Sequence, residues 1–152
     1  MDVTSILVCD DHEFSRKGLI QSIKNNIESD ALFYEATNGI EAVELFKKHL
    51  PNIVFLDVEM PEKNGIEVCK TLKSLNPSSI IIFITMHTEK AIYAAIKKAK
   101  ANAYISKSET NIELRKCINF VTNNTTTFYS SIENIFLSDE EYIHYQHVQD
   151  GL

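Results

Sequence analysis

Ile53-Val54-Phe55-Leu56-Asp57 runs four apolar residues without a break into one carboxylate. A continuous apolar run of this length, with β-branched and aromatic members, suits a strand buried on both faces of a parallel sheet. A charge in the middle of such a strand would carry a large desolvation cost, so Asp57 belongs at its C-terminal end, where the chain leaves the sheet. In open α/β sheets that edge is where ligands bind. The following Val58-Glu59-Met60-Pro61-Glu62-Lys63-Asn64-Gly65 has loop chemistry, with a proline and an Asn-Gly pair as breakers.

The same reading extends along the chain. Ile6-Leu7-Val8-Cys9 is a second apolar run and ends in Asp10-Asp11, and Leu32-Phe33-Tyr34 is a shorter strand candidate. Ile80-Ile81-Ile82-Phe83-Ile84 ends at Thr85, and Ala103-Tyr104-Ile105 is followed by Ser106-Lys107. Between the strands lie helical stripes, such as Leu19, Ile20, Ile23 and Ile27, or Ala42, Val43, Phe46 and Leu50. Asn38-Gly39-Ile40-Glu41 and Asn64-Gly65-Ile66-Glu67 read as helix starts, with Asn as cap and an acid three residues on. Thr110-x-x-Glu113 has capping-box spacing for a last helix through Val121. Five strands alternating with five helices predict a parallel sheet covered on both faces, joined by right-handed crossovers.

Length and composition set the outer bounds. The 152 residues, 44% hydrophobic and 24% charged, amount to one ordinary domain with enough apolar mass for a core. Net charge is −6 and is unevenly placed: residues 117–152 hold Glu133, Asp139, Glu140, Glu141 and Asp150 and no Lys or Arg. Neither part presents the basic patch of a nucleic-acid surface. Cys9, Cys69 and Cys117 form no C-x-x-C pair, which fits reduced thiols and a cytoplasmic location. No signal peptide is visible, and the longest apolar run, Ile80 to Ile84, is far too short to span a bilayer.

Parallel strands share a C-terminal edge, so Asp10, Asp11, Asp57, Thr85 and Lys107 fall on one rim. Three clustered carboxylates repel unless a cation or proton intervenes. A hard divalent cation on oxygen ligands is the natural answer, and Mg²⁺ takes one or two carboxylates while keeping several waters. Lys107 adds a fixed positive charge and Thr85 a hydroxyl. Together these groups would stabilise a phosphoryl group arriving on a free carboxylate.

This set of residues resembles the receiver domain of bacterial two-component response regulators, over roughly residues 4–122. The resemblance implies a flavodoxin-like (βα)5 fold with strand order 2-1-3-4-5. It implies that Asp57 accepts a phosphoryl group from a histidine kinase. It also implies that Asp11 and Asp57 ligate Mg²⁺ directly, that Asp10 acts mainly through water, and that the Glu59 backbone carbonyl is a further ligand. Thr85 and Tyr104 match the family's switch pair, with Tyr104 rotating inward on phosphorylation, and Lys107 matches its phosphate-contacting lysine. The output surface is then the face of the fourth helix, fifth strand and fifth helix. Asp11-His12, Thr85-Met86-His87 and Ala101-x-Ala103-Tyr104-Ile105 further resemble the nitrate-regulator, LuxR-type transcription factors. Those receivers carry glycines near positions 100 and 103; here Lys100 and Ala103 stand instead, and Asn102 is the expected left-handed residue.

Other chemistries are weighed against this one. A haloacid-dehalogenase-type phosphohydrolase also forms an aspartyl-phosphate, but needs a second Asp two residues on, where this chain has Glu59. A mononucleotide module would need a glycine-rich phosphate loop, which glycines at 18, 39, 65 and 151 cannot build. His12 and His87 read as solvent-exposed loop histidines, and His144-x-x-His147 as chance spacing. Residues 1–122 are expected to form the receiver. Residues 123–152 are expected to be a linker and acidic tail, with a helix over 139–148. Leu137-Ser138-x-x-Glu141 resembles the opening of a truncated helix-turn-helix output domain. The expected partners are a histidine kinase and a second copy of the chain on phosphorylation. DNA would be reached only through an output domain that this chain lacks; neither a membrane nor external catalytic turnover is expected.

Overall fold

The computed structural model describes residues 3–132. Expectations for Leu137, Ser138, Glu141, His144, His147 and the 139–148 helix lie outside the described residues. The chain alternates β1 (Ser5–Cys9), α1 (Glu13–Asn26), β2 (Leu32–Ala36), α2 (Gly39–His49), β3 (Ile53–Leu56), α3 (Gly65–Leu75), β4 (Ile80–Thr85), α4 (Lys90–Lys98), β5 (Ala103–Ser106) and α5 (Thr110–Asn123). The strands are parallel, in the order β2-β1-β3-β4-β5, as the flavodoxin-like reading requires.

Every residue of β3 and β4 is buried, because helices cover both faces of the sheet. Alternation along the strands sorts their side chains into two layers. Leu7, Val54, Leu56, Ile81 and Phe83 pack with Phe46 of α2, Leu72 of α3 and Ile96 of α4. Ile6, Val8, Phe55, Ile82 and Ile105 pack on the other side with Ile23 of α1 and Leu114 and Ile118 of α5. Each such side chain contributes roughly 1.5–3 kcal/mol on burial, so the two layers hold the strand ends in a fixed register.

Helix starts follow local chemistry. Asn38 Oδ1 accepts from the Glu41 amide at 2.8 Å, while Glu41 Oε1 accepts from the Thr37 amide at 2.8 Å. Asn64 Oδ1 accepts from the Glu67 amide at 3.0 Å. Such caps are worth about 1 kcal/mol each. The expected Thr110–Glu113 box does not form. A 3₁₀ turn over Lys107–Glu109 precedes α5, Thr110 donates its hydroxyl to the Lys107 carbonyl, and Glu113 accepts from the Tyr129 hydroxyl.

The left-handed residue after α4 is Lys100, at φ 69°, rather than Asn102. Asn102 is buried, and its amide oxygen accepts from the Ile81 amide at 2.9 Å and from Lys73 Nζ at 2.7 Å. Its side chain is spent on joining β4 to the start of β5.

The sheet also continues past residue 122. After the exposed stretch at 124–126, β6 (Tyr129–Ser130) runs parallel to β5, pairing Tyr129 with Ala103 and Ser130 with Tyr104. Phe128 enters the layer of α2, α3 and α4, and Tyr129 enters the layer of α1 and α5. This short sixth strand covers the first half of the free β5 edge, and its flanking aromatic side chains reach both layers.

Candidate functional site

β1, β3 and β5 carry Asp10, Asp57 and Lys107 to one point on the C-terminal rim. Lys107 Nζ donates to Asp57 Oδ2 at 2.8 Å and lies 3.3 Å from Asp10 Oδ2 and 3.3 Å from Ser15 Oγ. Both carboxylates are buried, Asp10 at 4% and Asp57 at 7% exposure, so neither would remain charged cheaply without these partners. Burial pushes the Asp10 carboxyl up, but the His12 amide at 2.9 Å, the Ser15 hydroxyl and Lys107 outweigh it and hold the group below the usual carboxylate range. Burial likewise pulls the Lys107 ammonium down, while its bonds and charge attraction to Asp57 and Asp10 hold it above the usual lysine value. A cavity of about 260 Å³ between α1 and α5 opens onto these three groups, lined also by Ser15, Ser22, Thr110 and Asn111.

Asp11 stands beside Asp10. One donor atom from each of Asp10, Asp11 and His12 lies within 4.8 Å of the others. His12 is an exposed loop histidine, as expected, and its Nδ1 lies 3.0 Å from Asp11 Oδ1 and 3.4 Å from Asp10 Oδ1. Two adjacent hard oxygen donors, one held ionised by its surroundings, suit a hard divalent cation such as Mg²⁺. Beside them a groove of about 450 Å³ runs between Asp11, His12, Glu59, Met60 and Pro61.

The loop after β3 is held by its own backbone. The Asp57 amide donates to the Cys9 carbonyl at 3.2 Å, the Gly65 amide to the Val58 carbonyl at 2.8 Å, and the Gly39 amide to the Pro61 carbonyl at 3.2 Å. Gly65 approaches so closely that a β-carbon there would lie 1.9 Å from the Asp57 carbonyl oxygen. Only glycine fits, and its packing fixes where the strand hands over to the loop.

Thr85 and Tyr104 meet at His87. Thr85 is fully buried at the end of β4, and its Oγ1 accepts from the His87 amide at 3.1 Å. Tyr104 points inward with 0% exposure, and its hydroxyl donates to the His87 carbonyl at 2.7 Å. Burial pushes the Tyr104 phenol up to about 12, so it serves as a hydrogen-bond donor at neutral pH. The His87 ring bridges Glu59 at 2.8 Å and Glu89 at 3.1 Å. The Glu59 bond, then the Glu89 bond, hold the imidazole above its ordinary value. The Glu59 carboxylate is thus engaged by His87, which argues against its acting as a phosphohydrolase general acid.

Sequence reasoning passed over three residues here. His87 looked like a loop histidine, because the backbone contacts that make it a hub leave no trace in residue type. Ser15 gave no signal of its own. Arg16 is buried: its Nε donates to Glu35 Oε1 at 2.7 Å and its Nη1 to the Asp10 carbonyl at 3.0 Å. A charged residue on the inner face of an otherwise apolar helix stripe was the signal available.

Comparison with known proteins identifies relatives of the whole fold. The response regulator receiver domain family matches residues 6–119. The chain is 34% identical over 102 residues to the chemotaxis protein CheY of Halobacterium salinarum, covering 67% of this chain and 82% of that one. It is 32% identical over 114 residues to the probable transcriptional regulatory protein NarL of Mycobacterium tuberculosis, covering 74% of this chain and 52% of that one. The alignment therefore spans about half the length of that regulator. The solved signal receiver domain of the putative M. tuberculosis response regulator NarL superposes with a TM-score of 0.73 at 27% identity, covering 82% of this chain and 99% of that one.

Proposed function

Because the chain belongs to the response regulator receiver family, we propose that it is a phosphoryl-accepting switch with Asp57 as the acceptor and a histidine kinase as the donor. The observation that carries this reading is the Lys107–Asp57 contact of 2.8 Å beside the Asp10–Asp11 pair. In the transfer, an Asp57 carboxylate oxygen bonds to phosphorus as the bond from phosphorus to the donor's imidazole nitrogen breaks, and that nitrogen takes up a proton. Lys107 gives up its hold on the carboxylate oxygen and donates to a phosphoryl oxygen instead. Asp10, Asp11, Asp57 and the Glu59 carbonyl would hold Mg²⁺. When bound, that ion supplies the positive charge that screens the incoming phosphoryl group.

Thr85 then turns its hydroxyl toward the phosphoryl group, giving up the His87 amide, and the Tyr104 ring is held inward. The α4–β5–α5 face carries the change to a partner, either a second copy of the chain or an output domain joined through residues 123–152. The likeness to NarL of M. tuberculosis, named a probable transcriptional regulatory protein, supports a transcriptional output, and the three free cysteines support work in the cytoplasm. No sustained hydrolysis of an external substrate belongs to this function. Among the described residues, no helix is long and apolar enough to cross a membrane.

Incubation with acetyl phosphate and Mg²⁺ tests the assignment by intact mass. One phosphate per chain is expected, absent in Asp57→Asn and absent when Mg²⁺ is chelated. Undiminished labelling of Asp57→Asn would refute Asp57 as the acceptor.

A further inference from the structure

The edge of β5 is occupied by a segment that follows the last helix. Its backbone hold is slight: the Tyr129 amide donates to the Asn102 carbonyl at 3.0 Å, and the Ser131 amide to the Tyr104 carbonyl at 3.0 Å. A pairing this short is marginal by itself. Side chains decide whether it stays. Phe128, 8% exposed, packs edge-on to the Tyr93 ring with centroids 5.7 Å apart, and Tyr93 packs edge-on to Tyr104 at 5.2 Å. On the other face, Tyr129 donates its hydroxyl to Glu113. Ser131 Oγ accepts from the Ser106 amide at 3.0 Å and donates to Glu109 at 2.9 Å, one residue before and two after Lys107.

The segment thus touches Tyr104 twice, through its backbone carbonyl and through the Tyr93 ring. Tyr104 in turn is fixed by the His87 carbonyl, and His87 by Thr85. An unbroken run of contacts joins the rim to Phe128.

We infer that the β5 edge is a strand-docking surface whose occupant is the chain's own Phe128–Ser131, and that its occupancy is set by the inward Tyr104 ring and hence by the phosphorylation state of Asp57. The inference rests on the receiver reading. A phosphoryl group that holds Tyr104 inward keeps the Tyr93 ring against Phe128, and the segment docks more firmly. Loss of that restraint frees Tyr104 to turn outward, removes the edge partner of Tyr93, and lets the segment leave. The β5 edge is then open. Because binding free energies are reciprocal, the docked strand must also favour the loaded site by the same factor.

Amide hydrogen exchange of the full chain tests this, with beryllium fluoride and Mg²⁺ as the phosphate mimic and fluorine NMR to report loading. Loading should slow exchange of the Tyr129 and Ser131 amides by at least about fivefold, the lower end of ordinary coupling. Phe128→Ala should raise the beryllium fluoride concentration for half-loading by the same factor. Ser131→Ala, which leaves the aromatic packing intact, should move it the same way if Phe128→Ala fails to fold. Unchanged exchange at Tyr129 and Ser131 in a chain that loads fully overturns the inference and leaves the receiver reading standing. Failure of the wild-type chain to load overturns both.

Discussion

Alanine at Gly65 and alanine at Gly18 are the same chemical change on two helices, and the structure gives them opposite signs. Both remove the conformational freedom of glycine from a helix, which by itself favours folding by about 0.5–1 kcal/mol. Around Gly18, on the exposed side of α1, nothing lies within 4 Å of a new β-carbon, so the whole gain should appear. At Gly65 the β-carbon would lie 1.9 Å from the Asp57 carbonyl oxygen and 3.1 Å from Val58 Cα, against an ordinary contact of 3.4 Å or more. Backbone must retreat by about 1.5 Å, the difference between 3.4 and 1.9 Å. Overpacking of this kind costs about 1–3 kcal/mol. Losing the Gly65 amide's bond to Val58 adds about 1 kcal/mol.

After the helical gain is subtracted, Gly65→Ala should destabilise by about 2 kcal/mol, which for a chain of this size lowers Tm by roughly 4–8 °C. Gly18→Ala should raise Tm by about 2 °C. Differential scanning calorimetry of the two variants and the parent measures both. A Gly65→Ala chain that melts at or above the parent temperature refutes the account of the loop after β3. Since the retreat displaces Asp57 from Lys107, phosphate uptake by Gly65→Ala should also slow by about tenfold or more, a rise of about 1.4 kcal/mol in the barrier.

The other expectations concern charge. Glu35 is held below the usual carboxylate range by its hydrogen bonds to Lys17 and Arg16, so Glu35→Gln should cost up to about 1 kcal/mol at neutral pH. A depressed carboxylate stabilises above its unfolded value and loses that contribution as pH falls through its folded value; urea curves of parent and variant should therefore converge below pH 4.5, and a constant gap would contradict the pairing. Lys107→Met removes the cation that competes for Asp57 Oδ2 and Asp10 Oδ2; calorimetric titration should show Mg²⁺ affinity maintained or raised while phosphate uptake falls by about tenfold or more, and weakened Mg²⁺ binding would count against the arrangement. Residues 1–152 should not bind duplex DNA, since Lys and Arg are absent after Lys116 and net charge is −6; micromolar binding by anisotropy at modest salt would overturn that.

What was legible in the sequence was local or periodic. The apolar runs that became β1, β3 and β4 needed no knowledge of their neighbours, and the Asn38 and Asn64 caps are satisfied within three residues of themselves. The rim followed from topology alone, because parallel strands put Asp10, Asp57 and Lys107 on one edge. What was not legible depended on distant backbone. Phe128-Tyr129-Ser130-Ser131 is too short to announce a strand, and its partner is the edge of β5. Lys100 takes the left-handed conformation, while Asn102, two residues on, is committed through its side chain to Ile81 and Lys73, contacts that residue type does not announce. Thr110 and Glu113 have the spacing of a cap, but Lys107 and Tyr129 claim them first.

Charge at the rim explains why these residues occur together. Asp10, Asp11 and Asp57 against Lys107 leave two negative charges when all are ionised. Such a rim repels a phosphoryl group, which brings further negative charge of its own. Under the proposed function, one divalent cation held by these carboxylates would supply the missing two charges and leave the rim neutral toward a phosphoryl group. Lys107 cannot do this alone, because its single charge is already shared between two buried carboxylates at 2.8 and 3.3 Å. A second lysine in place of the cation would also be a poor substitute, since its ammonium brings one charge rather than two and cannot coordinate carboxylate, water and phosphoryl oxygens together. Cation and phosphoryl group should therefore each strengthen the other's hold on the rim, while Lys107 keeps Asp57 aimed in the absence of either.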